Sequence, residues 1–173
     1  MKKIGLVADT HIRKNDGSDL PDSVLSAFKG VDLIVHLGDI GKKICLDRLA
    51  EVAPVMVQTD DRKGYHLSGS ADPGVYTVEN VGLTFNLAQP DKKITVGDAG
   101  IEFADDMGKL LAKRFKQDVA VVAFAATHQP MQVTYDGVLF VNPGSPTLPM
   151  SAPGTVAILD LSKKTAAAKI VSV

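Results

Sequence analysis

Four short apolar runs in this chain each end in an acid or a histidine. Ile4–Ala8 leads to Asp9 and His11, Leu33–Leu37 to Gly38-Asp39, Pro54–Val57 to Asp60 and Asp61, and Val119–Phe124 to His128. Brief apolar runs bounded in this way read as buried strands. Between the first three lie two stretches with helical spacing. Pro21–Phe28 carries Val24, Leu25 and Phe28, and Lys42–Val52 puts Ile44, Cys45, Leu49 and Val52 on one side. A β-α-β-α-β order predicts parallel strands under helices. Ligands of such sheets bind beyond the carboxyl ends of the strands, which is where these acids and histidines fall.

The second half has a different rhythm. Val75–Val78 and Leu83–Leu87 are expected to pair across Glu79–Gly82, residues 88–100 to form a long loop, and Ile101–Lys116 to form one helix. That helix would turn Phe103, Met107, Leu110, Leu111 and Phe115 inward. Met131–Tyr135 and Val138–Val141 flank Asp136-Gly137, a strong hairpin signal. Thr155–Leu161 and Ala168–Val173 read as a closing hairpin around Ser162–Lys164. The order fits an α/β sandwich of two mixed sheets with helices outside, one domain over residues 1–173.

Composition narrows the function classes. The chain has 173 residues, 45% of them apolar, enough for a core of its own. Lys plus Arg number 19 and Asp plus Glu 20, so the net charge of −1 argues against a nucleic-acid groove spread over the molecule. The longest apolar run, Val119–Ala126, is eight residues and too short for a membrane helix. Asp9 interrupts the first apolar run too early for a signal peptide. The single cysteine, Cys45, allows neither an internal disulfide nor a thiolate cluster for zinc. A cytoplasmic protein is the expectation.

Carboxylates gathered at one sheet edge repel each other unless a cation sits among them. Asp9 and His11 are two apart, so an extended segment points both the same way. Carboxylate with imidazole suits Mn²⁺, Ni²⁺, Fe²⁺ or Zn²⁺ better than Ca²⁺. Such an ion acidifies water and polarises a phosphoryl oxygen. Taken singly, Asp-x-His and Gly-Asp read equally as solvated loop residues; their recurrence at successive strand ends points to a metal site.

These segments resemble the calcineurin-like metallophosphoesterases, in particular their small bacterial and archaeal phosphodiesterases, over nearly the whole chain. Asp9-Thr10-His11 is similar to the family's opening Asp-x-His, and His36-Leu37-Gly38-Asp39 to its His-x-Gly-Asp. Thr127-His128-Gln129-Pro130 resembles the end of its Gly-His-Thr-His-x-Pro. Asp136–Ser145 resembles its late hairpin and Asn-Pro-Gly-Ser loop, and Gly154–Leu161 its penultimate strand. The resemblance implies a two-metal site with Asp39 bridging, one ion being held by Asp9, His11, Asp39 and His128. It also implies metal-activated water attacking a phosphate ester.

Three departures bear on the second ion. Where the family has a ligating Asn, this chain has Asp61, or Asp60 if the count slips by one. Gln89 stands where the family has a His, and Ala125-Ala126 replaces the Gly-His before Thr127-His128. With two imidazoles gone, one firmly held divalent ion is expected and the second is weakened. Asp39, His128 and Asp61 are the expected catalytic residues, and Asp9, His11, Asp39, Asp61 and His128 the expected metal ligands.

Other polar residues have plainer readings. His36 reads as a satisfied buried histidine, with a bond to a ligating carboxylate as the alternative. His66 reads as a surface loop residue, and Arg62 as a neutraliser of its acidic neighbours or a phosphate contact. Cys45 reads as core. Asn142, Gly144 and Ser145 are expected at the pocket rim, or as a plain Pro/Gly turn.

The expected function is a metal-dependent phosphoesterase, specifically a phosphodiesterase, acting on a small phosphate ester. The alternative is a non-catalytic binding or scaffold module with a decayed site, as in a eukaryotic retromer subunit similar to these enzymes. A sensor that binds metal or phosphate without turnover is a third reading.

Overall fold

In the computed structural model, which describes residues 2–57, 76–88, 94–97, 100–104, 106–161 and 165–173, the first half follows its apolar runs. β1 (Lys2–Val7), α1 (Asp22–Ala27), β2 (Leu33–His36), α2 (Ile44–Ala50) and β3 (Val55–Val57) come in that order. Then come β4 (Tyr76–Val78), β5 (Val81–Leu83), β6 (Ile94–Gly97), β7 (Gly100–Phe103), α3 (Met107–Phe115) and β8 (Val121–Ala123). β9 (Pro130–Tyr135), β10 (Val138–Pro143), β11 (Thr155–Leu161) and β12 (Ala166–Ser172) complete the chain.

Among the described residues the strands form two five-stranded sheets, ordered β12-β11-β1-β2-β3 and β4-β5-β8-β10-β9, plus the β6-β7 pair. β1, β2 and β3 run parallel, as do β5, β8 and β10. β4, β9, β11 and β12 join by antiparallel pairing.

Side-chain alternation along the strands makes the layers. Ile4 and Leu6 of β1 pack with Val121 and Ala123 of β8 and with Ala157 and Leu159 of β11 between the two sheets. Val7 and Ile34 face the other way, onto Val24, Phe28, Cys45 and Leu49 around α1 and α2. On the far side Val122 and Phe140 pack against Met107, Leu111 and Phe115 of α3. The result is the two-sheet α/β sandwich with helices outside. Each fully buried Leu, Ile, Val or Phe stabilises it by about 1.5–3 kcal/mol. Among the described residues no helix is long and apolar enough to cross a membrane.

Two expectations give way in residues 76–116. Ile101 does not begin a helix. Ile101-Glu102-Phe103 lies in β7 and pairs with β6, Val96 opposite Ile101 and Ile94 opposite Phe103. Residues 88–100 are therefore not all loop. Phe103 shares the i, i+4 spacing of Met107, Leu111 and Phe115, and this hid the break. The helix starts at Met107, capped by Asp106, whose carboxylate accepts the Lys109 amide at 3.1 Å. The β4-β5 turn is also tighter than expected. Val78 pairs with Val81, Glu79 takes φ +55°, and β5 ends at Leu83 rather than Leu87. The Asp136-Gly137 hairpin forms as read, with both residues at positive φ (+48° and +79°).

Candidate metal centre

The parallel strands of both sheets end at one edge, and the site is assembled there. Asp9 and His11 follow β1, Asp39 follows β2 and His128 follows β8. The turns after β1 and β2 continue the pairing of their strands. The Asp9 amide donates to Gly38 O at 3.0 Å, the His11 amide to Asp39 O at 2.9 Å, and the Ile12 amide to Ile40 O at 2.9 Å. The backbone at these positions is strained. Asp9, His11, Asp39, Ala126 and His128 sit at φ +51°, +42°, +51°, +72° and +57°. Each left-handed non-glycine residue costs about 1–2 kcal/mol, and such strain gathers at functional sites.

The other sheet fastens Asp9 in place. Its Oδ2 accepts the Ala126 amide at 3.2 Å, and its carbonyl accepts the Ser145 hydroxyl at 2.7 Å. Asp9 is fully buried, and its Oδ1 finds no hydrogen-bond partner among the described residues. An unpaired buried carboxylate oxygen is costly. Burial, and then the charge of Asp39, push the Asp9 carboxyl up to about 7, against the lowering effect of His128 and the Ala126 amide.

The cluster offers a full set of donors. One atom each from Asp9, His11, Asp39 and His128 lies within 4.8 Å of the others. His11 Nε2 is 3.3 Å from His128 Nε2 and 3.5 Å from Asp39 Oδ2, and His128 Nε2 is 3.7 Å from Asp9 Oδ1. Donors bound about 2.1 Å from one tetrahedral ion stand about 3.4 Å apart, so these separations fit a shared cation. The orphaned oxygen, Asp9 Oδ1, is the one that stands 3.7 Å from His128 Nε2. His128 Nδ1 lies 2.7 Å from Leu148 O. A carbonyl only accepts, so Nδ1 carries a proton, and in the neutral ring this leaves the Nε2 lone pair facing the cluster, as a metal-binding histidine requires.

A model of the calcineurin-like phosphoesterase superfamily domain matches residues 1–164. The chain belongs to this superfamily. A probable metallophosphoesterase of Methanothermobacter thermautotrophicus is 26% identical over 170 residues, 97% of this chain and 91% of that relative. A probable metallophosphoesterase of Methanocaldococcus jannaschii is 33% identical over 149 residues, 84% of this chain and 69% of that relative. The crystal structure of Entamoeba histolytica Vps29 complexed with zinc shares the fold, with a TM-score of 0.60, 17% identity and 98% of each chain covered.

Within the calcineurin-like fold, the structure sorts the residues singled out in the sequence. It brings together Asp9, His11, Asp39 and His128. Asp60, Asp61, Arg62, His66 and Gln89 lie outside the described residues. His36 is the satisfied buried histidine: its Nε2 is 2.9 Å from the Thr10 hydroxyl, its Nδ1 accepts the Gly38 amide at 3.2 Å, and burial lowers its pKa to about 3. Cys45 is core, its thiol pushed up to about 11 by burial. Asn142 and Ser145 are not at a rim. Both are fully buried beneath the site, Asn142 Nδ2 donating to Thr127 Oγ1 at 3.0 Å and to Ala125 O at 3.3 Å.

Sequence reasoning missed the Ala126 amide and the Leu148 carbonyl, which bond two of the cluster's donors through the backbone. No side-chain pattern encodes them. Thr147 was missed as well; its hydroxyl donates to Thr10 O at 2.7 Å. The signal there was its place two residues beyond the Asn-Pro-Gly-Ser loop.

Proposed function

We propose that this chain is a metal-dependent phosphoesterase acting on a small phosphodiester, with Asp9, His11, Asp39 and His128 holding one divalent cation. Mn²⁺, Ni²⁺, Fe²⁺ and Zn²⁺ all suit two carboxylates and two imidazoles. The observation that carries this reading is the buried, unpartnered Asp9 Oδ1, 3.7 Å from the Nε2 of His128. A bound cation would acidify water and polarise the phosphoryl oxygen. The protein's own part is orientation. Leu148 O holds the His128 ring in its ligating tautomer, and the Ala126 amide fixes which Asp9 oxygen faces the cluster. Asp39 and His11 are each about one-third exposed, so the cluster is open to a substrate phosphate from their side. Asp61 is the proposed further ligand and third catalytic residue. The one cysteine, buried and free, suits a reducing cytoplasm.

Metal analysis of the purified protein, paired with hydrolysis of bis(p-nitrophenyl) phosphate in added Mn²⁺ or Ni²⁺, tests the proposal. About one ion per chain and turnover lost in Asp39→Ala and His128→Ala are expected. Turnover that survives both substitutions would place the chemistry elsewhere.

Ala126 favours a second reading, a binding module with a decayed site. Its methyl offers no donor where the resembling enzymes have an imidazole. Absence of turnover with every one of these metals, together with retained ion binding, would favour the module.

A further inference from the structure

Thr10 lies between two proposed ligands and ligates nothing. It is 1% exposed. A hydroxyl has one proton and two lone pairs, and here all three are engaged. The proton goes to Ile40 O at 2.9 Å. The oxygen must therefore accept from His36 Nε2, 2.9 Å away, which places the imidazole proton on Nε2. His36 Nδ1 is then an acceptor and receives the Gly38 amide at 3.2 Å. The second lone pair takes the Cys45 thiol at 3.5 Å. Every donor meets an acceptor, and only the Nε2–H tautomer of a neutral His36 allows it.

These bonds join the two turns that carry the cluster. Thr10 sits between Asp9 and His11 in the turn after β1. Gly38 and Ile40 flank Asp39 in the turn after β2. The three acidic and imidazole donors on these turns are all at left-handed φ, a conformation that persists only where the surroundings hold it. We infer that Thr10 is a positioning residue for the cluster, its hydroxyl, oriented by His36, fixing the Asp9–His11 turn against the Asp39 turn. The functional meaning rests on the cation reading above, whereas the hydrogen bonds themselves involve no ion.

Thr10→Val keeps the shape and removes the hydroxyl; Thr10→Ser keeps the hydroxyl and removes a methyl. In calorimetric titration with Zn²⁺ alone, Thr10→Ser should bind within about threefold of wild type, and Thr10→Val about 10- to 100-fold more weakly, the range seen when support behind a ligand is lost. In metal-free protein, nitrogen-detected imidazole NMR should show His36 protonated on Nε2. The His11 and His128 ring signals should move in Thr10→Val and stay in Thr10→Ser. If Thr10→Val does not fold, Thr10→Ala, which leaves room for a water, takes its place. Unmoved ring signals with a Zn²⁺ affinity like wild type would overturn the positioning role, whatever the loss of thermal stability. If wild type takes up no Zn²⁺, the cation reading fails, and the ring signals of the metal-free protein alone decide the role of Thr10.

Discussion

The Nε2 atoms of His11 and His128, 117 positions apart in sequence, face each other at 3.3 Å across the junction of the two sheets. With its Nδ1 proton committed to Leu148 O, a neutral His128 presents a lone pair there. Two imidazoles held this way gain from an ion that binds the folded state alone. At a free Mn²⁺ concentration about 100 times its Kd, the gain is about 2.7 kcal/mol. In a chain of this size that raises the melting temperature by about 5–10 °C. Circular dichroism melts with Mn²⁺ and with EDTA measure it. His128→Ala should abolish the difference, and a rise that persists in the variant would mean the ion binds elsewhere.

Gly41 follows the Asp39 turn at φ +85°. A Cβ built there would meet Ile12 N at 2.3 Å, Ile12 O at 2.4 Å and His11 C at 2.7 Å. Gly41→Ala adds left-handed strain of about 1–2 kcal/mol to displacement of packed backbone, which costs about 1–3 kcal/mol. Urea unfolding should show a loss of about 2–5 kcal/mol, and Mn²⁺ affinity should fall because the displaced backbone carries His11. Gly30→Ala is the control. Its φ is +83°, but nothing lies within 4 Å of the added methyl. It should lose only the strain and bind Mn²⁺ as wild type does. Equal effects of the two substitutions would rule out the clash with Ile12.

The sequence made the site's raw material legible because parallel strands buried on both faces are nearly pure apolar runs, and their ends are marked by the first polar residue. Asp9, Asp39 and His128 could be placed on that basis. The geometry between them could not, since it depends on left-handed turns at Asp9, His11 and Asp39 and on backbone donors such as the Ala126 amide. Residues 94–116 failed for a different reason. There a strand and a helix abut with their apolar residues in step, and only the cap at Asp106 marks the boundary.

Arg114 ties α3 to the segment after β5. Its guanidinium donates to Thr84 Oγ1 at 2.6 Å, Asn86 O at 2.7 Å and Leu87 O at 3.2 Å. The backbone pairing with β8 runs on past Leu83, the Thr84 amide donating to Ala123 O at 3.0 Å and the Ala125 amide to Phe85 O at 2.9 Å, and Arg114 adds its bonds to the same segment. Removing a charged donor from partly buried carbonyls costs about 1.5–3 kcal/mol, so Arg114→Leu should lower unfolding free energy by that amount. Arg114→Lys should recover only part of it, because an ammonium lacks the planar fork. Zn²⁺ affinity should be unchanged in both. Full recovery by lysine would show that charge, not the fork, holds the segment.

His36 gives the acid side of the stability profile a definite sign. Burial is the larger cause, and the charge of His11 the lesser, that lowers its pKa in the folded protein from 6.5 to about 3. Below pH 6.5 the unfolded chain therefore takes up a proton that the folded one refuses. The stability tied to the neutral ring is complete above pH 6.5 and is lost as pH falls toward 3, by at most about 1.4 kcal/mol per pH unit. Asp9 acts in the opposite sense. Its folded pKa of about 7 lies above the ordinary 3.8, so the metal-free protein gains stability from neutral Asp9 as pH falls through that range. A comparison with His36→Gln separates the two, since Asp9 is common to both proteins. Glutamine keeps one donor end and one acceptor end but does not titrate. Urea unfolding in EDTA at pH 7 and pH 5 should show wild type losing about 2 kcal/mol more than the variant across that interval. Equal losses would mean that His36 is protonated in the folded protein, and the hydrogen-bond pattern around Thr10 would have to be redrawn.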